Sequence, residues 1–125
     1  MGRFGVSIAR ELYQIGWDVL GIDKDEQVVQ ELLGQLTSVV QADCTSETVL
    51  RELGISNYDL AVVSIGTDIQ ASIMTTLLLK TLGVKEVISR ANNNLHGQTL
   101  GRIGADRIVF PELDTGVRLA HTLFN

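Results

Sequence analysis

Short runs of mostly apolar, often β-branched residues recur along this chain, and longer stretches with helical spacing separate them. The runs are Asp18 to Ile22, Thr37 to Gln41, Leu60 to Ser64, Glu86 to Ser89 and Arg107 to Val109. Within each run the apolar residues are largely continuous rather than alternating. That is the pattern of a strand covered on both faces, as in a parallel sheet. Right-handed crossovers through the intervening helices then predict an α/β, Rossmann-like, doubly wound parallel sheet.

The helices carry their own start and stop signals. Phe4, Ile8, Leu12 and Ile15 form an apolar stripe that Gly16 is placed to end. Asp25 to Leu33 reads as a second helix, acidic in its first turn and followed by Gly34. Ser46 and Glu47 open a short third helix that closes before Gly54. Ile69, Ile73 and Leu77 mark a fourth, ended by Gly83, and Leu95 to Ile103 a fifth, ended by Gly104. Pro111 suits the first turn of a sixth, where a missing N–H is harmless. A doubly wound domain normally begins with a strand, whereas this order begins with a helix. The expectation is therefore a Rossmann core lacking its first strand.

Composition narrows the function. The 125 residues fit one domain, and 45% hydrophobic content argues against disorder. The net charge of -5, from 10 Lys and Arg against 15 Asp and Glu, argues against nucleic-acid binding. The single cysteine, Cys44, allows neither an intrachain disulfide nor a multi-cysteine metal site. No apolar run reaches the roughly 18 residues of a membrane span, and the N-terminus does not read as a signal peptide. A cytoplasmic domain without direct membrane insertion is expected.

The full dinucleotide fingerprint, G-x-G-x-x-G, lies between a first strand and a first helix. Here Met1-Gly2-Arg3-Phe4-Gly5 retains only its second part. Gly2 would admit a phosphate close to the backbone, Gly5 would let the helix pack closely, and Arg3 could reach the phosphate. The helix N-terminus adds unpaired N–H groups and a partial positive charge. Asp23 follows about 20 residues later at a strand end, where the fingerprint puts the acid that accepts from ribose hydroxyls. Lys24 stands beside it. An acid there favours NAD or an adenosine nucleotide over NADP; the competing reading is that Asp23 caps the next helix. Two further strand ends would line the same crevice. One carries Ala42-Asp43-Cys44-Thr45, whose Asp43 and Thr45 suit either an adenine edge or a helix cap. The other carries Ser64-Ile65-Gly66-Thr67, where Gly66 permits close approach of a ligand or simply makes a turn.

Taken together these blocks resemble the nucleotide-binding RCK domain, also called KTN or TrkA-N, of potassium transport, and most closely its Ktr-type regulatory subunits. Gly2 to Gly5, Val19 to Asp23, Ala42 to Thr45, Ile65 to Ser72, Leu77 to Lys80, Gly104 to Ile108 and Pro111 to Gly116 carry the likeness over essentially the whole chain. The resemblance implies residues 1–125 as an N-terminal RCK domain, a fragment without the family's smaller second lobe. It implies ATP/ADP or NAD(H) as the bound nucleotide. Gly2, Arg3, Phe4 and Gly5 match the phosphate turn, Asp23 the ribose acid, and Asp43, Cys44, Ser64, Ile65 and Gly66 positions near the adenosine. Arg3 and Arg90 match basic residues that sense a terminal phosphate, and Arg90 stands where the family often has lysine. Glu112 matches an acid that contributes to a divalent-cation site at a dimer contact. The implied partners are a membrane-embedded potassium-translocating subunit and further copies of the chain, forming a homodimer within a larger ring. The apolar Val117, Leu119, Ala120, Leu123 and Phe124 suit that contact or packing on the domain's own sheet. Met1 would then be the apolar middle residue of G-x-G, with the first strand preceding it.

Two other classes are possible for the same residues. An NAD-dependent oxidoreductase would need an acid–base residue and a substrate pocket. No Tyr-x-x-x-Lys is present, since Tyr13 is followed four residues on by Trp17 and Tyr58 by Val62. His96 and His121 are read as structural or surface residues, and Cys44 has no evident partner as a nucleophile. A dimerising interaction module that has lost nucleotide binding is the other alternative. The reading preferred is a regulatory nucleotide-binding domain, not an enzyme.

Overall fold

The computed structural model describes residues 3–42, 46–65 and 68–110, with side chains from residue 6 onward. The elements run α1 (Arg3–Gln14), β1 (Val19–Asp23), α2 (Glu26–Leu32), β2 (Ser38–Gln41) and α3 (Glu47–Glu52). A single 3-10 turn (Ile55–Asn57) follows, then β3 (Leu60–Ser64), α4 (Ile69–Thr81), β4 (Val87–Arg90), α5 (Asn94–Arg102) and β5 (Arg107–Val109). The strands form one parallel sheet in the order β2-β1-β3-β4-β5. The α/β, Rossmann-like expectation holds. The sixth helix expected from Pro111 lies outside the described residues.

The local signals act as read, within a residue or two. Asp25, Ser46, Asp68 and Asn93 are the N-caps of α2, α3, α4 and α5, and each side chain accepts a backbone N–H of the first turn. Gly16 and Gly104 follow helix ends with φ of 102° and 116°, a backbone region closed to most side chains.

The central strands β1, β3 and β4 are buried on both faces, which is why they are continuously apolar, while the edge strands β2 and β5 are partly exposed. Successive residues point to opposite faces. Leu20, Ile22, Ala61, Val63 and Val87 pack with Leu50 of α3, Ile55, Tyr58 and Leu79 of α4. Val19, Leu60, Val62 and Ile88 pack with Ala9 of α1, and Ile8, Leu12 and Trp17 close over them.

Helix α4 departs from its sequence pattern. The stripe that marks it, Ile69, Ile73 and Leu77, does not face the sheet: Ile69 is 40% and Leu77 42% exposed. Ser72, Thr75, Thr76 and Leu79 are buried instead. The hydroxyls of Ser72 and Thr76 are tolerated inside because they are paired. Thr76 Oγ1 lies 2.8 Å from Ser89 Oγ on β4, and Ser72 Oγ 3.0 Å from His96 Nε2.

Candidate functional site

Where adjacent crossovers leave a parallel sheet in opposite directions, a crevice opens beyond the carboxyl ends of the strands. In this sheet β1 continues to β2 on one side and β3 to β4 on the other. The switch point therefore lies between β1 and β3, which pair directly through five residues, Val19↔Leu60 to Asp23↔Ser64. In the six-stranded dinucleotide order a further strand lies between the corresponding strands.

The register brings two of the expected site residues side by side. Asp23 pairs with Ser64 on one flank and with Gln41 on the other. Asp23 is 5% exposed and Ser64 6%. Asp23 Oδ1 accepts the Asp25 N–H at 2.9 Å, while Asp25 Oδ1 accepts from Gln27 N–H. The helix cap is thus Asp25; Asp23 orders the turn before it and keeps a buried carboxylate at the strand end. Lys24 is exposed, with Nζ 3.9 Å from Asp68 Oδ2 at the start of α4. That ion pair links the loops after β1 and β3. Gln41, not foreseen from the sequence, donates from Nε2 to the Lys24 carbonyl at 3.3 Å. Its only sequence signal was its place at a strand end.

Ile65 is fully buried immediately after β3, so it supports the loop from beneath. Arg90 ends β4, one residue beyond the Val63↔Ser89 pair. Its Nε is buried with no hydrogen-bond partner among the described residues. A buried guanidinium nitrogen left unsatisfied is uncommon and expensive. Of the other expected residues, Arg3, Phe4 and Gly5 lie in the first turns of α1, of which only the backbone is described. Gly2, Asp43, Cys44, Gly66 and Glu112 lie outside the described residues, as do Thr45, His121 and the apolar set from Val117 to Phe124. Among the described residues no group of three or more His, Cys, Asp or Glu is placed to hold a metal.

His96 is buried at 2% exposure. Its Nδ1 accepts the Asn92 N–H at 3.0 Å and its Nε2 is 3.0 Å from Ser72 Oγ. A backbone N–H can only donate, so Nδ1 holds the lone pair and Nε2 the proton, which is given to Ser72. This is the opposite of a nucleophile–base pair, in which the imidazole must accept from the hydroxyl. Burial lowers the His96 pKa from its ordinary value and keeps the ring neutral.

With the strand ends in place, comparison with known proteins becomes informative. A family model, the TrkA-N domain, matches residues 1–111. The chain belongs to the TrkA-N domain family. It is 46% identical over 123 residues to Ktr system potassium uptake protein C of Bacillus subtilis, covering 98% of this chain and 56% of that protein. It is 39% identical to Ktr system potassium uptake protein A of Vibrio alginolyticus, covering 100% of this chain and 57% of that one. The chain thus spans about half the length of these relatives. Among solved structures, the TrkA-N domain of the inner membrane protein ybaL from Escherichia coli aligns with a TM-score of 0.69 at 16% identity, over 98% of this chain and 90% of that one. The NAD(P)-binding domain of an exopolyphosphatase-related protein from Archaeoglobus fulgidus aligns at 0.64 and 23%, over 97% and 89%. A GsuK channel bound to NAD aligns at 0.58 and 18%, over 84% of this chain and 19% of that one. These structures establish that the TrkA-N fold is shared. Among the described residues no helix is long and apolar enough to cross a membrane.

Proposed function

We propose that this domain binds ATP/ADP or NAD(H) in the crevice beyond β1, β3 and β4, and that the bound nucleotide regulates a potassium-transport system. One observation carries the reading: a buried carboxylate ends β1 beside the switch point, and a buried guanidinium nitrogen with no partner among the described residues ends β4, on the far side of β3. The first suits ribose hydroxyls. The second suits an anion, and phosphate supplies one.

In this reading Asp23 accepts from the ribose, and Ser64 lies next to it. Arg90 and Arg3 engage the terminal phosphate. Gly2, Gly5 and the first N–H groups of α1 receive the remaining phosphate oxygens. Phe4 belongs to the phosphate turn, Asp43, Cys44, Ser64, Ile65 and Gly66 take positions near the adenosine, and Lys24 joins the rim. The nucleotide supplies no bond chemistry here; it acts by binding two states of the assembly unequally, without which nothing shifts. The names of the relatives support potassium as the transported ion. The remaining expectations follow as part of the proposal: a cytoplasmic position at the inner membrane through a membrane-embedded partner, a homodimer within a larger ring, and a divalent cation at Glu112.

Calorimetry of the chain with ATP, ADP, AMP, NAD and NADH tests this. Asp23→Asn keeps an oxygen for the Asp25 N–H but removes the charge. Hydrogen bonds to charged groups are worth roughly 1.5–3 kcal/mol each, so affinity should fall about 10- to 100-fold. Absence of binding by the wild-type chain, or equal affinity in the variant, defeats the reading.

A further inference from the structure

The loop that carries the chain from Arg90 into α5 is held by a histidine in an unusual version of a helix cap. In a capping box, the N-cap side chain bonds the N–H of the third helical residue, and that residue's Glu or Gln reaches back to the N-cap N–H. Here Asn93 is the N-cap and its Oδ1 accepts the His96 N–H at 2.8 Å. His96 is the third helical residue. Its Nδ1 reaches back one residue further, to the N–H of Asn92. A Glu side chain would end there. Imidazole has a second nitrogen, and it bonds Ser72 Oγ on α4. One buried ring thus joins the first turn of α5, the residue two beyond Arg90, and the helix that follows β3.

We propose that His96 is a positioning residue: its neutral ring ties the β4–α5 loop to α4 and thereby holds Arg90 at the switch-point crevice. The inference rests on the nucleotide reading of that crevice for its consequence, though not for its mechanics. On the same stretch Arg90 pairs with Val109 in the β4–β5 ladder, and the Ala91 N–H donates to the Val109 carbonyl at 2.8 Å. That bond fixes Ala91 to the β5 side, while His96 fixes Asn92 to the α4 side. Arg90 sits immediately before both. Because its own Nε makes no hydrogen bond among the described residues, its aim depends on the backbone that carries it.

Protonation opens the clamp. A charged imidazole donates from both nitrogens and cannot accept the Asn92 N–H. The charged groups on the surrounding elements are Asp68 and Lys80 on α4, Arg90 on β4, Arg102 on α5, and Asp106 and Arg107 at β5. Among the described residues none of these groups hydrogen-bonds or ion-pairs with the ring, whose bonds are those to Asn92 and Ser72. Burial therefore sets its titration, and the clamp is closed at neutral pH.

Two variants separate the ring nitrogens. His96→Asn places an acceptor near the Nδ1 position and loses the bond to Ser72. His96→Gln places a donor near the Nε2 position and loses the acceptor for Asn92. Amide hydrogen exchange at Asn92 should be about tenfold or more faster in His96→Gln than in wild type, with His96→Asn in between or close to wild type. ATP should bind His96→Gln about 5- to 10-fold more weakly, while adenosine, which offers nothing to Arg90, binds unchanged. On acidification the wild-type affinity for ATP should fall further than that of His96→Asn, a comparison in which the titration of ATP itself cancels. Equal Asn92 exchange in all three proteins overturns the clamp. Faster exchange with unaltered ATP affinity overturns its link to Arg90. A chain that binds no nucleotide defeats the nucleotide reading instead, and the exchange measurement still decides whether His96 holds the loop.

Discussion

Replacing Thr76 by valine tests how α4 is seated, and the structure sets the expected size of the effect. Thr76 and Ser89 are both fully buried, and their hydroxyl oxygens lie 2.8 Å apart. Valine keeps the shape of threonine and removes one partner. Ser89 then keeps a buried hydroxyl without its match, at about 1–3 kcal/mol. Ser89→Ala does the same to Thr76. Replacing both leaves no orphan, so the double variant should return to within about 1 kcal/mol of wild type. The pair would then show a coupling of about 3 kcal/mol, well above the few tenths expected for independent sites. Urea denaturation of the four proteins measures it, and about 4 °C of melting temperature per kcal/mol gives an independent check. A double variant whose loss equals the sum of the single losses would refute the reasoning. The hydroxyl pair would then contribute nothing to seating α4 against the strand that delivers Arg90.

Other consequences follow from the same geometry. Leu77→Glu on the outward stripe of α4 should change stability by less than about 1 kcal/mol, while Leu79→Ala, fully buried on the same helix, should lose about 2–5 kcal/mol by denaturation. Lys80 Nζ donates to the carbonyls of Val84 and Lys85 and to Asp106 Oδ2, so Lys80→Met should loosen the α4–β4 turn by about 1 kcal/mol and speed exchange at Val87, whose N–H is held by the same Asp106 oxygen. The His96 pKa is lowered by burial from 6.5. Its contribution to stability should therefore be complete above that value and lost as pH falls through the lower folded-state value. A pH series of denaturation curves should show that loss in wild type and not in His96→Asn, and the slope it adds cannot exceed about 1.4 kcal/mol per pH unit.

The elements and their ends were legible because their causes are local. A cap such as Asp25 or Ser46 bonds an N–H two or three residues away, and a glycine such as Gly16 ends a helix through its own backbone angles. Leu60–Ser64 and Arg107–Val109 were read to the residue. The apolar run before Asp23 and its spacing from the glycines both put it at a strand end, and a buried carboxylate is there. The family was readable too, since its blocks are contiguous in the chain.

Tertiary structure decided what depends on residues far apart. The sequence pattern of α4 shows an apolar stripe but not which way it faces. Facing was settled by the pairing of Thr76 with Ser89, 13 positions away, and of Ser72 with His96, 24 away. Likewise, no periodicity states that β1 lies against β3, which sets Asp23 beside Ser64. Nor does it state that Arg90 keeps a buried nitrogen unpaired among the described residues. Spacing along the chain determines local hydrogen bonds and hydrophobic faces; which polar groups meet inside is determined only when distant strands and helices close around them.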